Sequence, residues 1–136
     1  MFPSVLEELR APKPASRVLA GALRSLDQGL GSMEAALIDT VIESLQGCVW
    51  GDDGHLSIRQ YVRANTDWSD VRISRCVRNA RFCIDAPVVL DALRHGDIGI
   101  DRVDVLARAW ANPRVRADLV DQIDDFLVHA RGVSHR

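Results

Sequence analysis

The chain predicts an all-α fold, a compact bundle of about six or seven helices, on three observations. Apolar residues recur at helical spacing through the long segments, serines stand at cap positions ahead of several of them, and glycine or proline closes them. Nothing alternates with period two for long enough to require a sheet.

Residues 1–16 carry Pro3, Pro12 and Pro14 and read as an extended leader, with a single helical domain over 17–136. A first helix is expected after Ser16, running toward Asp27, with Val18, Leu19, Ala22, Leu23 and Leu26 on one face. The glycines of QGLGS (28–32) are expected to break it. Ser32 then caps a second helix to about Gln46, with Leu37, Ile38, Val41, Ile42 and Leu45 inward and Gly47 as its stop. The turn formers of 49–56 predict a loop.

Ser57 is expected to cap a short helix in which Ile58, Tyr61 and Val62 share a face. Ser69 caps a longer one, where Ile73, Cys76, Val77, Ala80, Cys83 and Ile84 cluster on one side and Arg72, Arg75, Arg78 and Arg81 spread over the other. Ala86-Pro87 opens the next helix, since proline is tolerated in a first turn, and Gly96 ends it. Asp101 lies near the start of a helix carrying Val103, Leu106, Ala107 and Trp110. Asn112-Pro113 separates this from a final helix through Ala130, striped by Val115, Leu119, Ile123, Phe126 and Leu127.

A chain of 136 residues with 47% hydrophobic content can bury roughly 68% of its unfolded surface, enough for a core of its own. No apolar run approaches the ~20 residues of a membrane-spanning helix, and the N-terminus MFPSVLEELR lacks the pattern of a secretory signal. The three cysteines, Cys48, Cys76 and Cys83, make no even disulfide framework, which points to a reducing cytoplasm. The net charge of −2 conceals an asymmetry. Between Ser57 and Arg81 six arginines face two aspartates, a balance of +4; between Asp85 and Asp125 nine aspartates face five arginines, a balance of −4.

In order along the chain, Asp53-Gly54 with Ser57, Ala80-Arg81, Pro87, and Ala92-Leu93 with Gly96 and Ile98 resemble the motifs of an actinobacterial helical family, domain of unknown function 222, also called the thirteen-E-twelve repeat family. The resemblance covers roughly Ser32 to Ala130. It departs at Ile73, where many relatives have alanine. It implies a helical region that usually precedes an HNH endonuclease module. Such a module needs several histidines and an asparagine around one metal. Here His55, His95, His129 and His135 are scattered over separate elements and no CxxC occurs, so nuclease activity is not carried over to this chain.

The arginine face is the candidate binding site. Arginine forks pair bidentately with phosphates, and Arg59, Arg63, Arg72, Arg75, Arg78 and Arg81 are the expected DNA-contacting residues. The alternatives are a solvated face paired with aspartates of later helices, or self-association in which basic and acidic faces of two copies meet. A second helix pair, Val88 to Leu106, is read as packing, because Asp101 and Asp104 would repel phosphate. Cys76 and Cys83 are expected as small core residues, and His95 as a helix C-terminal residue favoured by the dipole. Asp121, Asp124 and Asp125 read as a solvated face, and Asp52-Asp53-Gly54 lacks the further ligands of a calcium loop. Trp50, Trp68 and Trp110 are expected at core edges. The sequence contains no GxxxxGK[ST], GxSxG or HExxH. The expected function is a non-catalytic module without cofactor or metal, either DNA-binding or a truncated copy of the resembled family; the alternatives are an interaction and oligomerisation domain, or the N-terminal fragment of an HNH endonuclease.

Overall fold

The computed structural model describes residues 14–52 and 54–134. It is all-α, with seven helices and no strand among the described residues. These are α1 (Pro14–Gly47), α2 (Val49–Asp52), α3 (Ile58–Asn65), α4 (Asp70–Asp85), α5 (Pro87–Arg94), α6 (Ile100–Trp110) and α7 (Arg116–Ser134). The leader expected over 1–16 lies outside the described residues as far as position 13, and Pro14 to Ser16 are already helical. The chain divides into two units, Met1–Leu30 and Gly31–Arg136.

Two expectations about breaks are corrected. QGLGS does not interrupt the helix, and Ser32 is not a cap: α1 continues from Pro14 to Gly47. Glycine inside a helix costs only about 1 kcal/mol relative to alanine, and no proline reinforces it here. A Cβ at Gly31 would meet only ordinary contacts, the nearest being the Leu93 carbonyl oxygen at 3.8 Å. At the other end the left-handed residue that closes α1 is Cys48 (φ 50°), one position beyond the expected stop at Gly47. The segment expected as a loop from Val49 begins with the single helical turn α2.

The caps expected at Ser57 and Ser69 form. Ser57 Oγ accepts the Gln60 backbone N–H at 3.2 Å, and the Gln60 side chain accepts the Leu56 N–H at 2.9 Å. Ser69 Oγ accepts the Arg72 N–H at 3.2 Å, and Pro87 occupies the first turn of α5. After α5, Gly96 takes φ 79°; its N–H donates to the Leu93 carbonyl and that of Asp97 to the Ala92 carbonyl. This is the paired bonding that ends a helix at a left-handed glycine.

The core lies in the second unit. Phe82, Ile38, Ile73, Leu93, Val89 and Val103 are its largest fully buried side chains, from α1, α4, α5 and α6, and Ile123 and Leu127 join from α7. Ile73, the departure from the resembled family's alanine, is among them. Ala80, Cys76 and Cys83 are buried as their helical face predicts, and the three tryptophans pack partly buried against the core. Ile84 and Phe126, expected in apolar faces, are exposed, and Val115 is exposed and precedes α7. Leu37 is only half-buried. Among the described residues no helix is long and apolar enough to cross a membrane.

Candidate functional site

Helices α3 and α4 carry all six candidate arginines, each placed by the caps at Ser57 and Ser69. The structure gives five of them partners within the chain. Arg59 donates to Ser74 Oγ at 2.6 Å, and Arg63 pairs with Asp70 at 2.5 Å. Arg72 stands 3.6 Å from Glu34 and lies over the Trp68 ring at 4.7 Å. Arg75 Nε is 2.8 Å from Asp104 Oδ2, and Arg78 reaches Asp104 Oδ1 at 3.7 Å. Arg81 is exposed and forms no ion pair among the described residues. Arg75 and Arg78 thus adopt the internal pairing weighed against phosphate contact.

Asp104 is the centre of this arrangement, with only 12% of its side chain exposed. Asn79 Nδ2 donates to its Oδ1 at 2.6 Å, a buried bond between α4 and α6. Two polar atoms beside it, Arg78 Nε and Asn79 Oδ1, are buried without a hydrogen-bond partner. Arg75, Arg78 and Arg108 line one groove with Ser74 and Val71 around this single carboxylate. Burial lowers the Arg78 pKa; Asp104 opposes the shift, and the like charges of Arg108 and Arg75 add to it. Sequence reasoning missed the Asn79–Asp104 pair. Its signal was present: each residue interrupts an otherwise apolar helical face, Asn79 between Cys76 and Ala80, Asp104 between Val103 and Leu106.

The remaining candidates behave as structural groups. Burial pushes the Cys76 thiol up to about 11, with Glu34 adding to the shift. Burial pushes Cys83 up to about 12. Neither is a thiolate at neutral pH, whereas Cys48 is exposed. His95 caps α5, its Nδ1 2.6 Å from the Asp91 carbonyl oxygen. Asp53 of the calcium-loop comparison lies outside the described residues, and among those described no group of three or more His, Cys, Asp or Glu could hold a metal.

A second surface was visible in sequence only as a face. In the first unit, Val18, Leu19, Leu23, Leu26 and Leu30 of α1 are all exposed, between 61% and 71%. They form an apolar side on a helix whose opposite side carries Arg17, Arg24 and Gln28.

No known protein family, curated protein or solved structure matches this chain.

Proposed function

We propose that this chain is a non-catalytic helical interaction module whose partner is an apolar helix seated on the first half of α1. The observation that carries this reading is the exposure of Val18, Leu19, Leu23, Leu26 and Leu30 on one helix. Apolar patches larger than a few hundred Å² are rare on monomers, and the largest patch on a surface is often functional. The resemblance of the motif order to domain of unknown function 222 belongs to the same proposal: a helical region that accompanies an HNH module rather than performing its chemistry. An in-frame HNH region in the downstream nucleotide sequence would move any catalysis to a longer parent protein. Three unpaired cysteines suit a reducing cytoplasm, which belongs to the same proposal.

Replacing Leu23 and Leu26 with glutamate tests the reading, since glutamate is itself a good helix former. Measured by thermal unfolding at high dilution, the monomer's stability should change by less than about 0.5 kcal/mol, as surface substitutions usually do. A loss as large as a core substitution, roughly 2–5 kcal/mol, would assign the stripe to the chain's own core and end the interaction reading.

A second reading, DNA contact, is favoured by the excess of cation in the groove, where Arg75, Arg78 and Arg108 surround one carboxylate. Guanidinium donors left over from the pairing with Asp104 suit phosphate oxygens. Binding to short duplex DNA should then fall steeply with added salt. Absence of binding at low salt removes this reading.

A further inference from the structure

We infer that the partner of α1 is a second copy of α1, the two helices meeting along Leu19, Leu23, Leu26 and Leu30. This rests on the reading of that face as a docking surface and names its occupant.

The spacing of these leucines, four then three then four residues, is the alternation by which one helix keeps an apolar seam against another of the same kind. On a helix it places all four within about 60° of arc. The spacing runs on in sequence to Met33, itself exposed. Small residues flank the seam at Ala15, Ala22 and Gly29, seven apart, and a Cβ at Gly29 would meet nothing within 4 Å. Backbones can therefore approach closely on that side. Charge does not oppose the pairing: Arg17 and Arg24 point away, and Asp27 is the single charge beside the seam.

The area argues for a second copy with measurable but modest affinity. Leu19, Leu23, Leu26 and Leu30 present on the order of 450 Å² of apolar surface per helix. Two copies would bury up to about 900 Å², just under the ~1,000 Å² of a specific interface and in the range of weak association. Area near that threshold leaves little surplus after association entropy, so the expected state is a monomer–dimer equilibrium that shifts with concentration.

The pairing differs from self-association through the basic and acidic faces, where Arg75 and Arg78 are already paired with Asp104 within one chain. Salt separates the two. Association through an apolar seam persists in about 1 M salt, where the Debye length is about 3 Å, and charge-driven association does not.

Sedimentation equilibrium of the full chain over a range of concentrations is the experiment, at low and at high salt. The expected result is a dimer that forms with concentration and survives high salt. Leu23→Glu with Leu26→Glu should weaken it by about tenfold or more, with Leu23→Gln and Leu26→Gln as the uncharged version. Gln28→Glu, on the opposite side of the helix, should leave it unchanged. A chain that is monomeric at every concentration overturns the second copy as partner. If the doubly substituted chain is then also as stable as the parent, the docking face stands and a different helix occupies it. A dimer that dissolves at high salt, or that withstands both seam substitutions, overturns the inference as well.

Discussion

Asn79 Nδ2 donates to Asp104 Oδ1 at 2.6 Å, and this buried bond joins α4 to α6 twenty-five residues further along the chain. Asp104 also receives Arg75 and Arg78, so one carboxylate compensates two guanidinium groups and one amide. Removing a partner from a buried charge pair costs more than the pair contributes when intact, because the remaining groups stay desolvated.

Asp104→Ala leaves Asn79 buried without its acceptor and two partly exposed guanidinium groups unpaired, and should lower stability by about 2–3 kcal/mol, read as a shift of the urea midpoint. Asp104→Asn keeps a hydrogen-bond acceptor for Asn79 but no charge for the arginines, and should fall between the two. A midpoint for Asp104→Ala indistinguishable from the parent would show that the cluster contributes nothing to the fold.

The three arginines of α4 should separate when replaced by glutamine one at a time. Arg72 faces Glu34 at 3.6 Å with about half its side chain exposed, and an exposed pair is worth only about 0–1 kcal/mol. Arg75 and Arg78 hold a largely buried carboxylate but are themselves partly exposed. Each substitution should cost about 1–3 kcal/mol, between the surface and buried limits. Equal and negligible losses at all three positions would restore the picture of a free, phosphate-facing row.

These arginines show what a sequence can and cannot convey. The caps at Ser57 and Ser69, Pro87 at the start of α5 and the left-handed Gly96 after it are local chemistry, decided within four or five residues, and each was legible. The continuity of α1 was not, because two glycines weaken a helix without forbidding it and the surrounding turns prevail. Pairing of Arg75 and Arg78 with Asp104 depends on how α4 packs against α6, which periodicity does not encode. The leucine face of α1 is an intermediate case. Its angular placement was readable from spacing, whereas its exposure depends on what packs against it.

Thiol chemistry should divide the cysteines. At neutral pH a thiol-specific reagent should modify Cys48 rapidly and leave Cys76 and Cys83 protected, because access and thiolate fraction both disfavour the buried pair. The raised values of Cys76 and Cys83, about 11 and about 12, carry a pH consequence. Above the ordinary thiol range the unfolded chain loses these protons while the folded chain keeps them. Their contribution is thus complete at neutral pH and is lost as pH rises from about 9 toward 11–12. Cys76→Ala with Cys83→Ala should flatten that part of the alkaline unfolding profile. An unchanged profile, or three equally reactive thiols at neutral pH, would contradict their burial.

Ala80 tests the assignment of faces on α4 most directly. It is fully buried, on the same side as Ile73, Cys76 and Val77 and one position from Arg81, which is exposed. Ala80→Asp places a carboxyl among apolar neighbours, and an unpaired buried charge should cost several kcal/mol, at least about 3. The penalty should also depend on pH. Burial raises the new carboxyl's pKa in the folded state above the unfolded value of about 3.9. Relative to the parent, the variant is then least destabilised below that value and progressively worse as pH rises through the folded one. Ala80→Leu adds volume without charge and should be destabilising by about 1–3 kcal/mol at any pH. Denaturation of the three proteins at acidic and neutral pH separates charge from volume. An Ala80→Asp chain as stable as the parent at neutral pH would mean that this side of α4 faces water, and the division between the arginine row and the core would have to be redrawn.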